Sequence, residues 1–250
     1  MSNWVEIGSA RLALGDARSI LPEITGAKCL ITDPPYKVTS GGKTNPGFGG
    51  WMANDYDNSG SIVTCDIDWS DWLPLIPATL TEQAHAYIFS NDRNLPEAWR
   101  AAENAGLDFH RLLVWDKRAA MPNRWWMQNC EFILFMKKGL AYQVNDCGAM
   151  ALQSMFQRDE TEMPVEKPVP LLELYIRQSS RRGDLILDPF LGSGSTGCAA
   201  VRTGRRFVGI EIEERWFEVA CERIEAATRK VDLLTEHAIL GDQTDMSFFP

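Results

Sequence analysis

Apolar residues in this chain come in short solid runs punctuated by Gly, Pro and Asn. Runs at 11–14, 28–32, 85–89, 109–115, 131–136, 184–187 and 206–210 predict strands, several of them apolar enough to be covered on both faces. Helical periodicity predicts helices over 95–105, 169–178, 195–202 and 213–230, the last with Trp216, Val219, Ala220 and Ile224 on one face. Strands alternating with helices predict a doubly wound, mostly parallel α/β sheet, with 109–138 folded as a hairpin at one edge. The whole chain, 250 residues with 45% hydrophobic content, is expected to form a single domain. Two stretches do not fit the pattern. Residues 37–68 are rich in Gly, Asn and Ser, and residues 139–162 follow the last edge strand; loops this long are usually functional or disordered.

Directly after the run 28–32 stands Asp33-Pro34-Pro35-Tyr36. An aromatic amino nitrogen is a poor nucleophile because its lone pair is delocalised into the ring. A catalyst must therefore hold both amino hydrogens in acceptors that draw the nitrogen toward tetrahedral geometry. Asp33 supplies one acceptor. The two prolines fix φ and carry no N–H, which leaves the Pro34 carbonyl stiffly presented as a second. Tyr36 can stack on the ring, and acceptors aimed at developing positive charge stabilise the transition state more than the ground state. Taken alone, the tetrapeptide also reads as a strand running into a Pro-Pro turn.

A second segment, 184–196, is a buried-strand pattern ending in Asp188-Pro189-Phe190-Leu191-Gly192-Ser193-Gly194-Ser195-Thr196, a small-residue turn that opens a helix. Its glycines let the backbone approach a ligand closely, and the helix start offers unpaired N–H groups. The next strand ends at Glu211, about twenty positions beyond the glycines, the offset at which a carboxylate accepts from ribose hydroxyls in nucleoside-binding βαβ units.

The two segments, in this order, resemble the permuted β class of S-adenosylmethionine-dependent DNA amino-methyltransferases, in which the Asp-Pro-Pro-Tyr motif precedes the cofactor turn. The resemblance covers most of the chain and implies a Rossmann-like, circularly permuted methyltransferase sheet with a small inserted target-recognition segment at 139–162. It implies that Asp33, Pro34, Pro35 and Tyr36 are catalytic and grip a flipped base. Asp188, Phe190, Gly192, Ser193, Gly194 and Thr196 would line the cofactor's methionine end, Glu211 and Ile212 its ribose, and Asp16 and Ala17 its adenine. Residues 163–168 align with the family's His-Pro-Thr-Gln-Lys-Pro motif, of which Pro164, Lys167 and Pro168 remain; Lys167 would approach the cofactor carboxylate. Within the family, Asp at the first motif position leans toward adenine N6, and Ser toward cytosine N4.

A net charge of −9 runs against a polyanionic partner, since nonspecific affinity for DNA comes from cations neutralising phosphates. The charges are unevenly spread. Residues 111–138 carry Arg111, Lys117, Arg118, Arg124, Lys137 and Lys138 against Asp116 and Glu131, whereas 204–250 carry six cations and ten carboxylates. Double-stranded DNA is therefore expected near the middle of the sequence, on Lys117, Arg118 and Arg124, together with Lys37 and Lys43 of the 37–68 loop, which would order over the extruded base. The short reader implies a brief site or a homodimer that pools contacts from two subunits. A cognate restriction endonuclease stays an open partner. Six cysteines without CxxC pairing or metal spacing, and a start without signal-peptide character, predict a cytoplasmic protein with no metal and no membrane span. Methyltransferases acting on RNA or on protein amides share the clamp but place the cofactor turn first. A non-catalytic DNA-binding regulator on the same fold is the other alternative.

Overall fold

Alternation along the central strands sends successive side chains into two separate cores. The computed structural model describes residues 4–35, 38–39, 62–63, 67–118, 129–140, 142–154 and 166–244. Its strands are β1 (Trp4–Ile7), β2 (Ala10–Leu14), β3 (Ala27–Thr32), β4 (Val38–Thr39), β5 (Ile62–Val63), β6 (Leu80–Ser90), β7 (Asp108–Asp116), β8 (Cys130–Lys138), β9 (Leu152–Gln153), β10 (Leu185–Asp188) and β11 (Arg206–Glu211). Its helices are α1 (Ala17–Ile20), α2 (Trp69–Trp72), α3 (Ile76–Thr79), α4 (Leu95–Asn104), α5 (Val169–Ser179), α6 (Ser195–Arg202) and α7 (Glu214–Thr244). Among the described residues, nine strands form one sheet in the order β1-β2-β11-β10-β3-β6-β8-β7-β9. The run from β2 to β6 is parallel, and β1, β8 and the β8–β7 pair add antiparallel neighbours.

One core gathers Cys29 and Ile31 of β3, Tyr87 and Phe89 of β6, and Ile133 and Phe135 of β8 beneath α5, α6 and α7. The other gathers Leu30, Ala86, Ile88, Leu134 and Met136 beneath α1, α2, α3 and α4. This is the period-two consequence of a pleated strand covered on both sides, as the solid apolar runs predicted.

The sheet departs from expectation at its margins. The 109–138 hairpin forms, but β9 adds to its outer strand in parallel, Val114 beside Leu152 and Trp115 beside Gln153, so the hairpin is not the edge. A returning chain covers the strand edge that would otherwise expose unpaired amides. The one-turn helices α2 and α3 escape periodicity because each is too short to show it, and Pro74 and Pro77 punctuate the stretch. The strand expected at 85 begins at Leu80 despite the polar Glu82 and Gln83, and α7 continues to Thr244. Of the 37–68 loop, β4 and β5 pair antiparallel, Val38 opposite Val63, and close its neck.

Residues 142–146 are tied to the end of α5. Tyr142 Oη donates to the Ser179 carbonyl at 2.7 Å, Asn145 Nδ2 to the Arg177 carbonyl at 2.6 Å, and the Asp146 amide to Gln178 Oε1 at 2.8 Å. Since β8 ends at Lys138, beside Ala84 in the first half of β6, this anchor sits at the sheet end opposite the Asp33 motif. No described helix is long and apolar enough to cross a membrane.

Candidate active site

Parallel neighbours finish on the same side of a sheet, so the segments that leave their C-terminal ends meet there. β10 lies beside β3, Ile186 opposite Cys29 and Leu187 opposite Leu30. Thr32-Asp33-Pro34-Pro35 and Asp188-Pro189-Phe190 therefore emerge together, although about 155 positions separate them in the chain. β11 lies beside β2, Glu211 opposite Leu14, which brings Gly15-Asp16-Ala17 alongside. All of these segments line one cavity of about 640 Å³, together with Phe89, Glu131, Lys167 and Trp216. That volume falls in the range of small-ligand sites.

At the turn after β10, Gly194 holds φ +86°, and a Cβ there would lie 3.0 Å from Cα and Cβ of Ala220 in α7. Glycine is required for conformation and for room. The Glu211 carboxylate is clasped by three amides: Gly192 donates to Oε2 at 2.7 Å, and Ile212 and Glu213 to Oε1 at 2.9 Å each. Asp188, 3% exposed, accepts from the Phe190 amide at 3.1 Å. Burial pushes its carboxyl up to about 7, against the lowering effect of hydrogen bonds from Thr196 and that amide. Asp16 caps α1, accepting from the Arg18 amide at 2.8 Å, and the Arg18 guanidinium grips the same carboxylate and holds it below the ordinary range.

The Asp33 half of the cavity is a line of alternating charge. Lys117 pairs with Glu131, Glu131 with Lys167 at 3.2 Å, and Lys167 with Asp33 Oδ2. Phe89 lies beneath the Lys167 ammonium, its centroid 5.2 Å away. Burial pushes the Asp33 carboxyl above the usual carboxylate range while Lys167 pulls it back. Burial also opposes ionisation of Glu131, but Lys167 and Lys117 together outweigh it and hold that group low. Asp33 Oδ1, in this half, is buried and makes no hydrogen bond to any described residue. A buried acceptor without a partner is costly, and in a cavity it marks a place where a ligand donor fits.

The structure thus brings Asp33, Pro34 and Pro35 together with Asp16, Ala17, Lys167, Asp188, Phe190, Gly192, Ser193, Thr196, Glu211 and Ile212 around one space; Gly194 stands behind the turn as the N-cap of α6. Lys167, expected from the sequence to approach a cofactor carboxylate, instead has its ammonium on Asp33 and Glu131. Lys117, read as a DNA contact, is bound to Glu131. The basic stretch is partly consumed inside the molecule: Lys137 pairs with Asp108 at 2.9 Å and Lys138 donates to the Pro77 and Leu80 carbonyls. Arg118 is exposed, with φ +57°. Tyr36, Lys37, Lys43 and Arg124 lie outside the described residues.

Sequence reasoning missed Glu131, Phe89, Trp216 and the pair Glu166–Arg223. Glu166 is 5% exposed; Ser195 Oγ donates to it at 2.5 Å, Arg223 pairs with it, and Arg223 also holds the Ser193 carbonyl at 2.7 Å. The acidic residue at 166, where the resembled motif carries Gln, was the available signal; an acid placed there calls for a cation, which α7 supplies.

Comparison with known proteins agrees with this geometry. The family model described as DNA methylase, for N6 and N4 methyltransferases, matches residues 27–222. Among curated proteins the chain is 30% identical over 221 residues to the type II methyltransferase M2.DpnII of Streptococcus pneumoniae, covering 79% of this chain and 82% of that one. It is 27% identical over 257 residues to the type II methyltransferase M2.LlaDCHI of Lactococcus lactis subsp. cremoris, covering 88% and 91%. Among solved structures, the M1.HpyAVI–SAM complex superposes with a TM-score of 0.66 at 24% identity, covering 86% of this chain and 99% of that one. The cytosine-N4-specific PvuII DNA methyltransferase gives 0.61 at 14% identity, covering 92% and 96%. Fold and site define a Rossmann-like methyltransferase. The chain belongs to the N6/N4 family of DNA amino-methyltransferases.

Proposed function

We propose that this protein transfers a methyl group from S-adenosylmethionine to the N6 amino group of an adenine flipped out of duplex DNA. The observation that carries the reading is the single cavity shared by the Asp33 motif and the glycine turn, since methyl transfer requires donor and acceptor sites within bonding reach of each other. S-adenosylmethionine, when bound, supplies an electrophilic methyl group on a sulfonium. The residues present fit it. The buried Asp188 carboxyl, raised to about 7 by burial, gains a counterion and ionises beside a cationic amino-acid end. Glu211, fixed by three backbone amides, suits ribose hydroxyls, and Gly15 to Ala17 with Trp216 suit a purine.

Asp33 Oδ1 accepts one hydrogen of the target amino group, and the Pro34 carbonyl accepts the other. Held this way, the nitrogen lone pair is withdrawn from the ring and available for in-line attack. Ile31, Phe89 and Leu172 give the cavity an apolar wall on this side. Extrusion of the base is what brings an amino group out of the duplex to a pocket of this kind. A carboxylate at position 33, rather than a serine, supports adenine over cytosine N4, and the clamp's place ahead of the glycine turn supports DNA over RNA or a protein amide. Recognition is assigned to residues 139–162, of which 142–146 are anchored at the far sheet end and the part after β9 heads along β7 toward the Lys117 end, with Arg118, Arg124, Lys37 and Lys43 assigned to phosphates; a homodimer would pool two such readers.

Mass spectrometry of nucleosides digested from unmethylated genomic DNA, incubated with the protein and S-adenosylmethionine, tests the assignment. N6-methyl-2′-deoxyadenosine is the expected product. N4-methylcytosine would transfer the reading to the other base, and no methylated nucleoside would overturn it.

A further inference from the structure

Asp33 carries one oxygen held by an ammonium and one buried oxygen without a donor among the described residues, and the groups responsible stand on three different elements. Lys167, immediately before α5 and 7% exposed, has its ammonium on Oδ2. Glu131, the second residue of β8, holds that ammonium from the other side at 3.2 Å and is itself gripped by Lys117, just past β7. Oδ1 is buried and meets no donor among the described residues. An ammonium offers three hydrogens and no acceptor, and a carboxylate offers only acceptors. The line Lys117–Glu131–Lys167–Asp33 is therefore fully ordered in sign, and each group has its next partner fixed by the one before.

We infer that Glu131 is a positioning residue for methyl transfer: acting through Lys167, it takes up part of the ammonium's charge, so that Lys167 keeps Asp33 Oδ2 occupied without drawing the carboxylate's electron density away from Oδ1, the oxygen left for the target amine. This inference rests on the methyl-transfer reading. The sharing matters in both directions. Without Lys167, Asp33 is a buried carboxylate with no counterion and protonates, which destroys the acceptor. Without Glu131, the whole charge of Lys167 falls on Asp33, so the carboxylate is easier to ionise but a poorer acceptor for the substrate hydrogen, because its electron density is drawn toward the ammonium. The charged groups facing Asp33 are Lys167, Glu131 and Lys117, with Asp188 across the cavity at the end of β10. Asp188 is common to the wild type and its variants at 131 and 167, and cancels from their differences.

The test is the pH profile of kcat for transfer of labelled methyl groups from saturating S-adenosylmethionine to unmethylated genomic DNA, with calorimetric binding of S-adenosylmethionine to confirm that each variant is folded. Lys167→Met is expected to move the acid limb of kcat upward by roughly 1–3 pH units, and Glu131→Gln to move it downward by about one, with a lower plateau. Glu131→Asp, which keeps the charge, is expected to restore much of the plateau. A Glu131→Gln limb that stays put or moves in the same direction as that of Lys167→Met overturns the inference while methyl transfer stands. A wild-type protein that binds S-adenosylmethionine yet moves no label overturns the methyl-transfer reading, and the inference with it. If Lys167→Met does not fold, the direction of the Glu131→Gln shift and the Glu131→Asp rescue decide.

Discussion

The two ends of the sheet treat buried polar groups in opposite ways. At the end away from the glycine turn, His85 Nδ1 and Tyr87 Oη both meet Ser179 Oγ at 2.7 Å, and His85 Nε2 lies 3.2 Å from the Tyr142 carbonyl. Tyr142 stacks on the His85 ring with centroids 3.9 Å apart, and Lys28 covers its other side at 4.1 Å. Each of these groups has its partner. At the other end, Asp33 Oδ1 is buried and lacks one among the described residues, and burial raises the Asp188 carboxyl to about 7. A satisfied network stabilises a fold, whereas an unsatisfied one costs stability and is kept where a ligand completes it. Stability resides at one end of the same strands, and reactivity at the other.

The sharpest way to break this contrast is Asp33→Ala. It is expected to lower methyl transfer by at least about 10²–10³-fold, since it removes a preorganised acceptor from the transition state. Binding of S-adenosylmethionine should persist and thermal stability should change little, because Glu131 still pairs the Lys167 ammonium and the cost of burying the Asp33 carboxylate is relieved. A filter-binding transfer assay beside calorimetry and thermal melts reads all three; near-normal turnover would remove Asp33 from the chemistry.

The two ends should also answer pH with opposite signs. Burial pushes His85 down to about 4 from 6.5, so the unfolded chain binds more protons between those values. Its contribution to stability is present above about 6.5 and lost as pH falls toward 4. Asp188 is raised from 3.8 to about 7, so its contribution is present below 3.8 and lost as pH rises toward 7. A cationic ligand beside Asp188 favours the ionised form, so S-adenosylmethionine should bind with proton release. Its Kd should fall by up to about tenfold per pH unit as pH rises from 5 to 7. Calorimetry in two buffers of different ionisation enthalpy measures the proton count, and Asp188→Asn should abolish the release.

Ser179→Ala reverses the pattern of Asp33→Ala. Leaving His85 and Tyr87 without their shared hydroxyl should cost about 2 kcal/mol, or roughly 4–8 °C in Tm, while kcat of the folded fraction is unchanged. A loss of kcat with unaltered melting would show that the far network reaches the chemistry. The smallest effect is expected from Glu211→Gln, which keeps the shape but weakens the acceptor for ribose hydroxyls. Affinity for S-adenosylmethionine should fall about tenfold, equivalent to about 1.4 kcal/mol, with kcat at saturation little changed.

What the chain disclosed on its own was whatever repeats or sits within a few residues. Solid apolar runs marked β3, β8 and β10, helical spacing marked α5 and α6, and Asp33-Pro34-Pro35 and the turn at Gly192 to Gly194 announced their chemistry by local geometry. The offset to Glu211 was legible because one crossover helix spans it. Tertiary structure decided the rest. Lys167 meets Asp33 across 134 positions and His85 meets Ser179 across 94, and no periodicity encodes such pairings. Lys117 and Lys138 read as exposed cations because a charge in sequence shows neither its burial nor its partner; Glu131 and the Pro77 carbonyl supply those only after folding. Residues 142–146 likewise reveal their anchor on α5 only in three dimensions. Side-chain direction is set locally by the backbone, so elements and motifs can be read from the chain. The partner of a charge is set by which strands lie side by side, and only the folded sheet decides that.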